Sequence, residues 1–238
     1  MLAGLLRRPE SRLVTVLGPG GVGKSRLALA VVSDLASEFS GGVSVAALGS
    51  VDGADLLLPA VASAVGVRDD GHTDLVDQIG RRVGGRRLLL VLDTFEHITA
   101  AAPAVSLLLS SVPSLIILVT SRAVLNVAGE QVFQLGPFRS AVGAHDPLAE
   151  DAVRLFVERA VFASSVFAAQ PEDGPTIAAI CNRLDGLPLA IELAAARTRL
   201  LSPAALLDRL GQRLDVLGAG PRDAPDRLQT LRGAIQWS

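Results

Sequence analysis

The sequence predicts an α/β fold in which a parallel five-stranded sheet, covered by helices, is followed by a small all-helical domain. Strand-like runs occupy residues 13–17, 43–48, 88–92, 115–119 and 131–135. Between them, apolar residues recur at helical spacing, for example over 54–65, 73–83 and 101–112. Near-continuous apolar strands that alternate with helices are typical of a parallel sheet with both faces covered. No strand-like run follows residue 135.

Beyond residue 137 the pattern is helical only. Asp146-Pro147 predicts a helix start, because an N-cap aspartate followed by proline suits the first turn of a helix. Further helices are predicted at 177–184, at 188–200 and from Ser202 onward. We therefore place a domain boundary between residues 136 and 146.

A glycine-rich segment joins the first strand to the helix that follows it. It reads Gly18-Pro19-Gly20-Gly21-Val22-Gly23-Lys24-Ser25 and fits the phosphate-loop pattern G-x-x-x-x-G-K-[ST]. In such a loop, backbone N–H groups cradle phosphates, the lysine reaches the β- and γ-phosphates, and the serine hydroxyl can ligate Mg²⁺. Lys24 is the only lysine in the chain, whose other basic residues are all arginines. These residues predict a site for a nucleoside polyphosphate.

Acidic residues follow the third strand. Asp93 ends that strand and is expected to hold Mg²⁺ together with Ser25, since Mg²⁺ favours one or two carboxylates plus phosphate oxygens. Many phosphate-loop ATPases carry a second acid directly after this aspartate, but here the position is Thr94. Glu96 is the nearest carboxylate, and it could either polarise the attacking water or cap the following helix. We therefore expect hydrolysis to be slow.

Arg122 follows the fourth strand in the segment Thr120-Ser121-Arg122. The carboxyl ends of parallel strands face the ligand crevice, so Arg122 could contact a γ-phosphate and report its presence. The alternative is an exposed arginine at the start of a helix. The candidate catalytic residues are thus Lys24, Asp93, Glu96 and Arg122.

Composition limits the kinds of partner and the cellular compartment that this chain suits. Half of the 238 residues are hydrophobic and the mean hydropathy is +0.45, but the apolar runs are far too short to span a membrane. A net charge of −2 with dispersed arginines argues against direct nucleic-acid contact by this segment. Cys181 is the only cysteine, which favours the reducing cytoplasm, and its apolar surroundings predict a core residue.

Five segments carry a resemblance to a known family. They are 17–28 around the phosphate loop, 90–97 around Asp93, 119–122 ending in Arg122, the GLPLA-containing 186–195, and 229–238. Together they resemble the NB-ARC-like group of STAND signal-transduction ATPases, as found in AfsR-like and large LuxR-type bacterial transcriptional regulators. The segments occur in the family's order and cover nearly the whole chain.

The resemblance implies a P-loop NTPase with strand order 5-1-4-3-2 and the nucleotide at the carboxyl ends of the strands. It implies ATP/ADP and Mg²⁺ as ligands, with Pro188 against the adenine. The implied nucleotide-binding residues are Gly18, Gly20, Gly21, Val22, Gly23, Lys24, Ser25, Arg26 and Pro188, with Ser25 and Asp93 on the metal. The expected domains are 1–140 for nucleotide binding, 141–225 for a helical domain, and 226–238 for the start of a winged helix.

We expect the chain to be a switch module cut from a larger regulator. The resemblance implies an ADP-bound resting state and an ATP-bound state that forms homo-oligomers. It also implies that winged-helix, sensor-repeat and effector domains of the same protein are partners, and that a segment upstream of Met1 helps to hold adenine. Two alternatives stay open, an autonomous P-loop ATPase or small-molecule kinase and a protein-interaction scaffold without nucleotide turnover.

Overall fold

The computed structural model describes residues 1–68, 71–165 and 167–212. The chain divides into two units. The sheet unit consists of Met1–Gly18 and Lys24–Leu135, and the helical unit of Pro19–Gly23 with the chain from Gly136 onward. The predicted winged-helix start at 226–238 lies outside the described residues, and the limits at 140 and 225 stay predictions.

The sheet unit contains one parallel sheet, with five strands in the part of the chain described. They are β1 (Leu13–Leu17), β2 (Gly42–Ala47), β3 (Leu88–Asp93), β4 (Leu115–Ser121) and β5 (Glu130–Gln134). Their order is β2-β3-β4-β1-β5, which is the predicted order read from the other edge. All neighbours pair in parallel. The predicted α/β fold is therefore confirmed.

The strand order determines where a ligand can bind. β1 lies between β4 and β5, while β2, the next strand along the chain, lies at the far edge beyond β3. The chain thus changes direction across the sheet after β1. In open α/β sheets, ligands bind outside the carboxyl ends of the strands at such a switch point. The glycine-rich loop begins there.

Successive residues of β3 pack on opposite faces of the sheet. Leu88, Leu90 and Leu92 belong to one core, which includes residues of α3, α4 and α5. Leu89 and Val91 belong to another, which includes residues of α1 and α2. The helices are α1 (Leu2–Arg7), α2 (Lys24–Leu35), α3 (Leu57–Val65), α4 (Leu75–Val83) and α5 (Ala102–Ser111). Burial on both faces explains why the strands are apolar throughout.

The ends of α4 show how local sequence sets helix limits. The Asp74 carboxylate accepts hydrogen bonds from the N–H groups of Val76 and Asp77 and so caps the first turn. Gly84 ends the helix in the left-handed region, which glycine adopts without steric cost. The predicted 73–83 helix is correct to within two residues.

From residue 136 onward, the described residues form helices and no strand. They are α6 (Asp151–Ala163), α7 (Gly174–Arg183), α8 (Pro188–Ala195) and α9 (Pro203–Gln212). Their apolar faces share a core that includes Phe156, Ile180 and Ile191. Among the described residues of both units, no helix has the length and apolar character needed to cross a membrane.

The helix start predicted at Asp146-Pro147 opens a 3₁₀ helix and not the α-helix α6. Pro147–Ala149 form a single 3₁₀ turn, and Asp146 makes no side-chain capping bond. Glu150 then adopts an extended backbone conformation, so α6 begins only at Asp151. The extended residue separates the proline turn from the helix.

Candidate functional site

The glycine-rich loop is anchored at the carboxyl end of the sheet. The Gly18 N–H donates to the carbonyl of Ser121, the last residue of β4, at 3.3 Å. The Lys24 ammonium donates to the Gly18 carbonyl at 2.9 Å, which links the two ends of the loop. Gly21 and Gly23 have φ values of +74° and +99°, which residues other than glycine rarely adopt.

Lys24 begins α2 and is buried, with 8% of its surface exposed. Burial lowers its pKa because a charged ammonium loses hydration there; Glu96 opposes this shift, Arg122 adds to it, and Asp93 opposes it. All three groups are therefore within electrostatic reach of Lys24. A buried cation beside a backbone loop suits a phosphate ligand, whose charge would compensate the lost hydration.

Asp93 lies between two hydroxyl groups. Ser25 Oγ and Thr120 Oγ1 each donate to Asp93 Oδ1 at 2.6 Å. Such short distances are typical of hydrogen bonds from a hydroxyl to an ionised carboxylate. The protein thus holds this carboxylate through Oδ1.

Thr120 was not among the predicted site residues. Its hydroxyl also accepts a hydrogen bond from the Thr94 N–H at 2.9 Å. Thr94 itself has φ +66°, in the left-handed region that β-branched residues rarely adopt. A polar residue at the end of an apolar strand was the available signal, but its contact with Asp93 depends on how β3 and β4 align.

Glu96 and Arg122 form an ion pair. Arg122 Nε lies 3.4 Å from Glu96 Oε1, and the two side chains are 31% and 12% exposed. Glu96 Oε2 is buried and has no hydrogen-bond partner in the described residues. α5, the helix that follows, has no side-chain capping bond, so the structure gives no support to capping by Glu96. The sheet therefore brings all four candidate catalytic residues to one edge.

The other predicted nucleotide-binding residues differ in burial. Val22 in the loop is buried, and Arg26 in α2 is exposed. Within the helical unit, Pro188 is the first residue of α8, and the Leu189 N–H donates to the Gly21 carbonyl at 3.1 Å. A Cβ at Gly21 would lie 3.0 Å from the Leu189 Cβ, a tight contact at a position whose positive φ already favours glycine.

The oxygen donors of Ser25 and Asp93 fit Mg²⁺. Mg²⁺ binds hard oxygen ligands and usually takes only one or two carboxylates, with phosphates and water completing the shell. Ser25 donates its single proton to Asp93 and keeps lone pairs for a metal. The described residues contain no group of three or more His, Cys, Asp or Glu suited to a metal ion.

Cys181 belongs to the helical unit. It is buried in the core of the helical unit, where its thiol contacts the Ala152 carbonyl at 3.5 Å. Burial raises the pKa of the Cys181 thiol to about 12, because the thiolate would lose hydration. The thiolate is the nucleophilic form. The prediction of a core residue is confirmed.

Solved structures share the fold. A chain in the structure of Drosophila ORC bound to DNA has a TM-score of 0.57 and 14% identity; the match covers 87% of this chain and 61% of that one. ORC2 of Aeropyrum pernix, solved as ADPNP–ADP complexes, has a TM-score of 0.55 and 14% identity, covering 84% and 61%. At this identity the likeness concerns the fold alone.

Sequence relatives come from mycobacteria. A candidate HTH-type transcriptional regulator of Mycobacterium tuberculosis is 39% identical over 230 residues, 96% of this chain and 25% of that protein. An uncharacterized protein of the same species is also 39% identical over 230 residues, which is 56% of its length. The chain thus spans only part of these relatives.

Residues 1–139, more than half of the chain, match the family described as "NB-ARC domain". This match agrees with the phosphate loop, the parallel sheet and the polar cluster at its carboxyl edge. The resemblance drawn from the sequence is confirmed. The chain belongs to the NB-ARC domain family.

Proposed function

We propose that the chain is an ATP/ADP-binding switch module of a multidomain transcriptional regulator. The observation that carries this proposal is the cluster of Lys24, Ser25, Asp93 and Arg122 at the carboxyl edge of the sheet. Family membership and the ADPNP–ADP complexes of the Aeropyrum neighbour support a nucleotide ligand.

Each residue of the cluster has a separate role in holding the nucleotide. The N–H groups of the loop and the Lys24 ammonium bind the phosphates, and Ser25 and Asp93 hold Mg²⁺. When bound, Mg²⁺ neutralises phosphate charge. Pro188 contacts the adenine, as the family resemblance implies. Burial of Lys24 strengthens its attraction to phosphate, since water screens the charges less.

Hydrolysis by this module is slow. The residue after Asp93 is Thr94, whose N–H is bonded to Thr120 and whose side chain cannot act as a base. The nearest carboxylate, Glu96, is paired with Arg122 at 3.4 Å. A general base must be available to accept or orient a proton. Glu96 can serve this role only after Arg122 has exchanged it for another anion, and this exchange is a step that must precede hydrolysis.

Arg122 senses the γ-phosphate by exchanging partners. Carboxylate and phosphate oxygens both accept hydrogen bonds from a guanidinium, and the phosphate carries the larger negative charge. ATP therefore draws Arg122 from Glu96, whereas ADP leaves the pair intact. This exchange would give the module two states that differ in the charge at one edge of the sheet.

The larger protein converts this difference into an output. The relatives that this chain matches are longer, and one is described as an HTH-type transcriptional regulator. We infer that winged-helix, sensor-repeat and effector domains lie elsewhere in the parent protein, and that the ATP-bound state associates into oligomers in the cytoplasm. Light scattering with ADP and with a non-hydrolysable ATP analogue tests association.

The identity of the bound nucleotide tests the proposal. The purified chain is denatured and any released nucleotide is identified by chromatography, for wild type, Lys24→Ala and Arg81→Ala. Arg81 is an exposed arginine in the last turn of α4 and controls for lost charge. We expect ADP from wild type and from Arg81→Ala, and none from Lys24→Ala. A wild-type chain without nucleotide and without ATP affinity would instead support a scaffold.

Turnover measurements separate the switch from an enzyme. We expect wild type to hydrolyse ATP slowly in steady state, and Glu96→Gln to be slower still. Rapid multiple turnover that Asp93→Ala abolishes would contradict the switch. Turnover that depends on an added acceptor would point to a kinase.

Affinities for ATP and ADP test the role of Arg122. Removing a hydrogen bond to a charged group costs about 1.5–3 kcal/mol, or about 10- to 100-fold in affinity. Arg122→Ala should therefore weaken binding of a non-hydrolysable ATP analogue by about this factor, with a much smaller effect on ADP. Equal weakening of both would show that Arg122 does not sense the γ-phosphate.

A further inference from the structure

Thr120 is a buried hydroxyl in β4 that follows five apolar residues of the same strand. It lies near the carboxyl end of β4, and its surface is fully buried. A buried hydroxyl without a partner costs about 1–3 kcal/mol, so the position is unfavourable unless hydrogen bonds compensate. Here the hydroxyl both donates and accepts a hydrogen bond, and its partners are Asp93 and Thr94 at the end of β3.

The directions of these two bonds are fixed by chemistry. The Thr94 N–H can only donate, so Thr120 Oγ1 accepts from it at 2.9 Å. The single proton of the Thr120 hydroxyl is therefore left for Asp93 Oδ1, which it reaches at 2.6 Å. A carboxylate is the acceptor that this arrangement requires. The hydroxyl joins the backbone after Asp93 to the carboxylate of Asp93 itself.

The second bond to Asp93 sets the orientation of its carboxylate. Ser25 Oγ also donates to Oδ1 at 2.6 Å, so this oxygen is held from two sides. Ser25 is the second residue of α2 and is itself a candidate metal ligand. Thr120 lies in the buried strand β4 and is not a candidate ligand, so its hydroxyl is left to orient the carboxylate. Because Oδ1 is held from two sides, the two bonds together fix the direction of Oδ2.

We propose that Thr120 is a positioning residue for Mg²⁺ binding, acting through the Asp93 carboxylate. The inference rests on the proposed nucleotide function. Residues that hydrogen-bond a metal ligand fix its orientation, and their loss commonly costs about 10- to 100-fold in metal affinity or activity. Thr120 also holds Thr94, whose left-handed backbone leads into the turn that carries Glu96.

Thr15 in the adjacent strand provides a matched control. It lies in β1, paired with Val119, and its hydroxyl is fully buried but has no hydrogen-bond partner in the described residues. The same substitution, threonine to valine, can therefore be made one strand away. It removes a hydroxyl of equal burial that does not contact Asp93.

The test measures binding of a non-hydrolysable ATP analogue by calorimetry, with Mg²⁺ and with the metal chelated. The variants are Thr120→Val, Thr120→Ser and Thr15→Val. We expect Thr120→Val to reduce the gain in affinity from Mg²⁺ by about 10- to 100-fold, while affinity for the metal-free nucleotide stays at the wild-type value. Thr120→Ser should restore the gain, and Thr15→Val should leave it unchanged.

Several results would overturn this role. If Thr120→Val keeps the full gain from Mg²⁺, or weakens metal-free binding equally, Thr120 does not act through the metal. Thr120→Ala, which cannot overpack the site, replaces the valine variant in this comparison if that variant does not fold. A folded wild-type chain that binds no nucleotide under either condition would instead refute the proposed function, so the two failures are distinguishable.

Discussion

The two units of this protein differ in what they bury. Among the described residues, the buried polar or charged side chains all belong to the sheet unit. They are Ser11, Thr15, Lys24, Gln78, Thr120 and Ser121. The buried residues described in the helical unit are aliphatic, aromatic or, at Cys181, a thiol. Two regions of one chain thus follow different rules of core composition.

This difference indicates where chemistry and where stability reside. Burial of polar groups is unfavourable unless they are paired, so several buried polar groups that converge on one carboxylate indicate a functional site. Lys24 and Thr120 lie at the carboxyl edge of the sheet, beside Asp93. The helical unit has no comparable cluster among its described residues. Substitutions in the sheet cluster should affect binding, and substitutions in the helical core should affect stability.

The largest effect is expected from Phe156→Ala in the helical unit. Phe156 is fully buried in α6, and removing such a ring costs about 3–5 kcal/mol in the free energy of unfolding. The control is Phe162→Ala, since Phe162 lies on the same helix with 88% of its surface exposed. We expect the control to change stability by less than about 0.5 kcal/mol. Urea denaturation measures both, and equal effects would break the comparison.

A smaller loss is expected from Gly186→Ala. Gly186 has φ +65°, and a Cβ there would overlap the carbonyl oxygen of Phe138. The two residues are held together, because the Phe138 N–H donates to the Gly186 carbonyl at 3.0 Å. A strained left-handed residue costs about 1–3 kcal/mol, and the overlap places Gly186→Ala at the upper end. Gly136→Ala, with no atom near its added Cβ, should be neutral in urea denaturation. Full stability of Gly186→Ala would show that this contact is easily relieved.

Alkaline pH should act on the two units with opposite sign. The chain has no tyrosine, one lysine and one cysteine, so Lys24 and Cys181 are the side chains that titrate between about pH 8.5 and 12. The raised pKa of Cys181, about 12, means that only the unfolded chain loses this proton, and stability falls as pH rises. The lowered pKa of Lys24 means that the folded chain loses this proton at a lower pH than the unfolded chain. The contribution of Lys24 to stability therefore rises with pH.

Variants of Cys181 and Lys24 show which side chain causes each change of stability with pH. Each group contributes at most about 1.4 kcal/mol per pH unit to the free energy of unfolding. Cys181→Ala should remove the part of the free energy of unfolding that falls with pH. Lys24→Ala should remove the part that rises with pH, so that the free energy of unfolding falls more steeply. Urea denaturation at a series of pH values measures both changes. An unchanged pH profile in Cys181→Ala would show that the thiol is not buried as described.

The sequence was a good guide to strands and a poor one to contacts between strand ends. Asp93 and Arg122 could be placed because each follows a long apolar run, and parallel strands end at the same edge. The Thr120–Asp93 bond could not, because it depends on the register that pairs Leu92 with Val119. The role of Glu96 also stayed open, since nothing in a threonine signals the left-handed turn at Thr94.

Nucleotide affinity tests the central claim most directly. ADP and a non-hydrolysable ATP analogue are titrated calorimetrically into wild type, Lys24→Ala and Arg81→Ala, with circular dichroism confirming the fold of each. We predict that wild type and Arg81→Ala bind both nucleotides, and that Lys24→Ala loses about 100-fold in affinity for each. Wild-type affinity in a folded Lys24→Ala variant would contradict the claim that this loop holds a nucleotide.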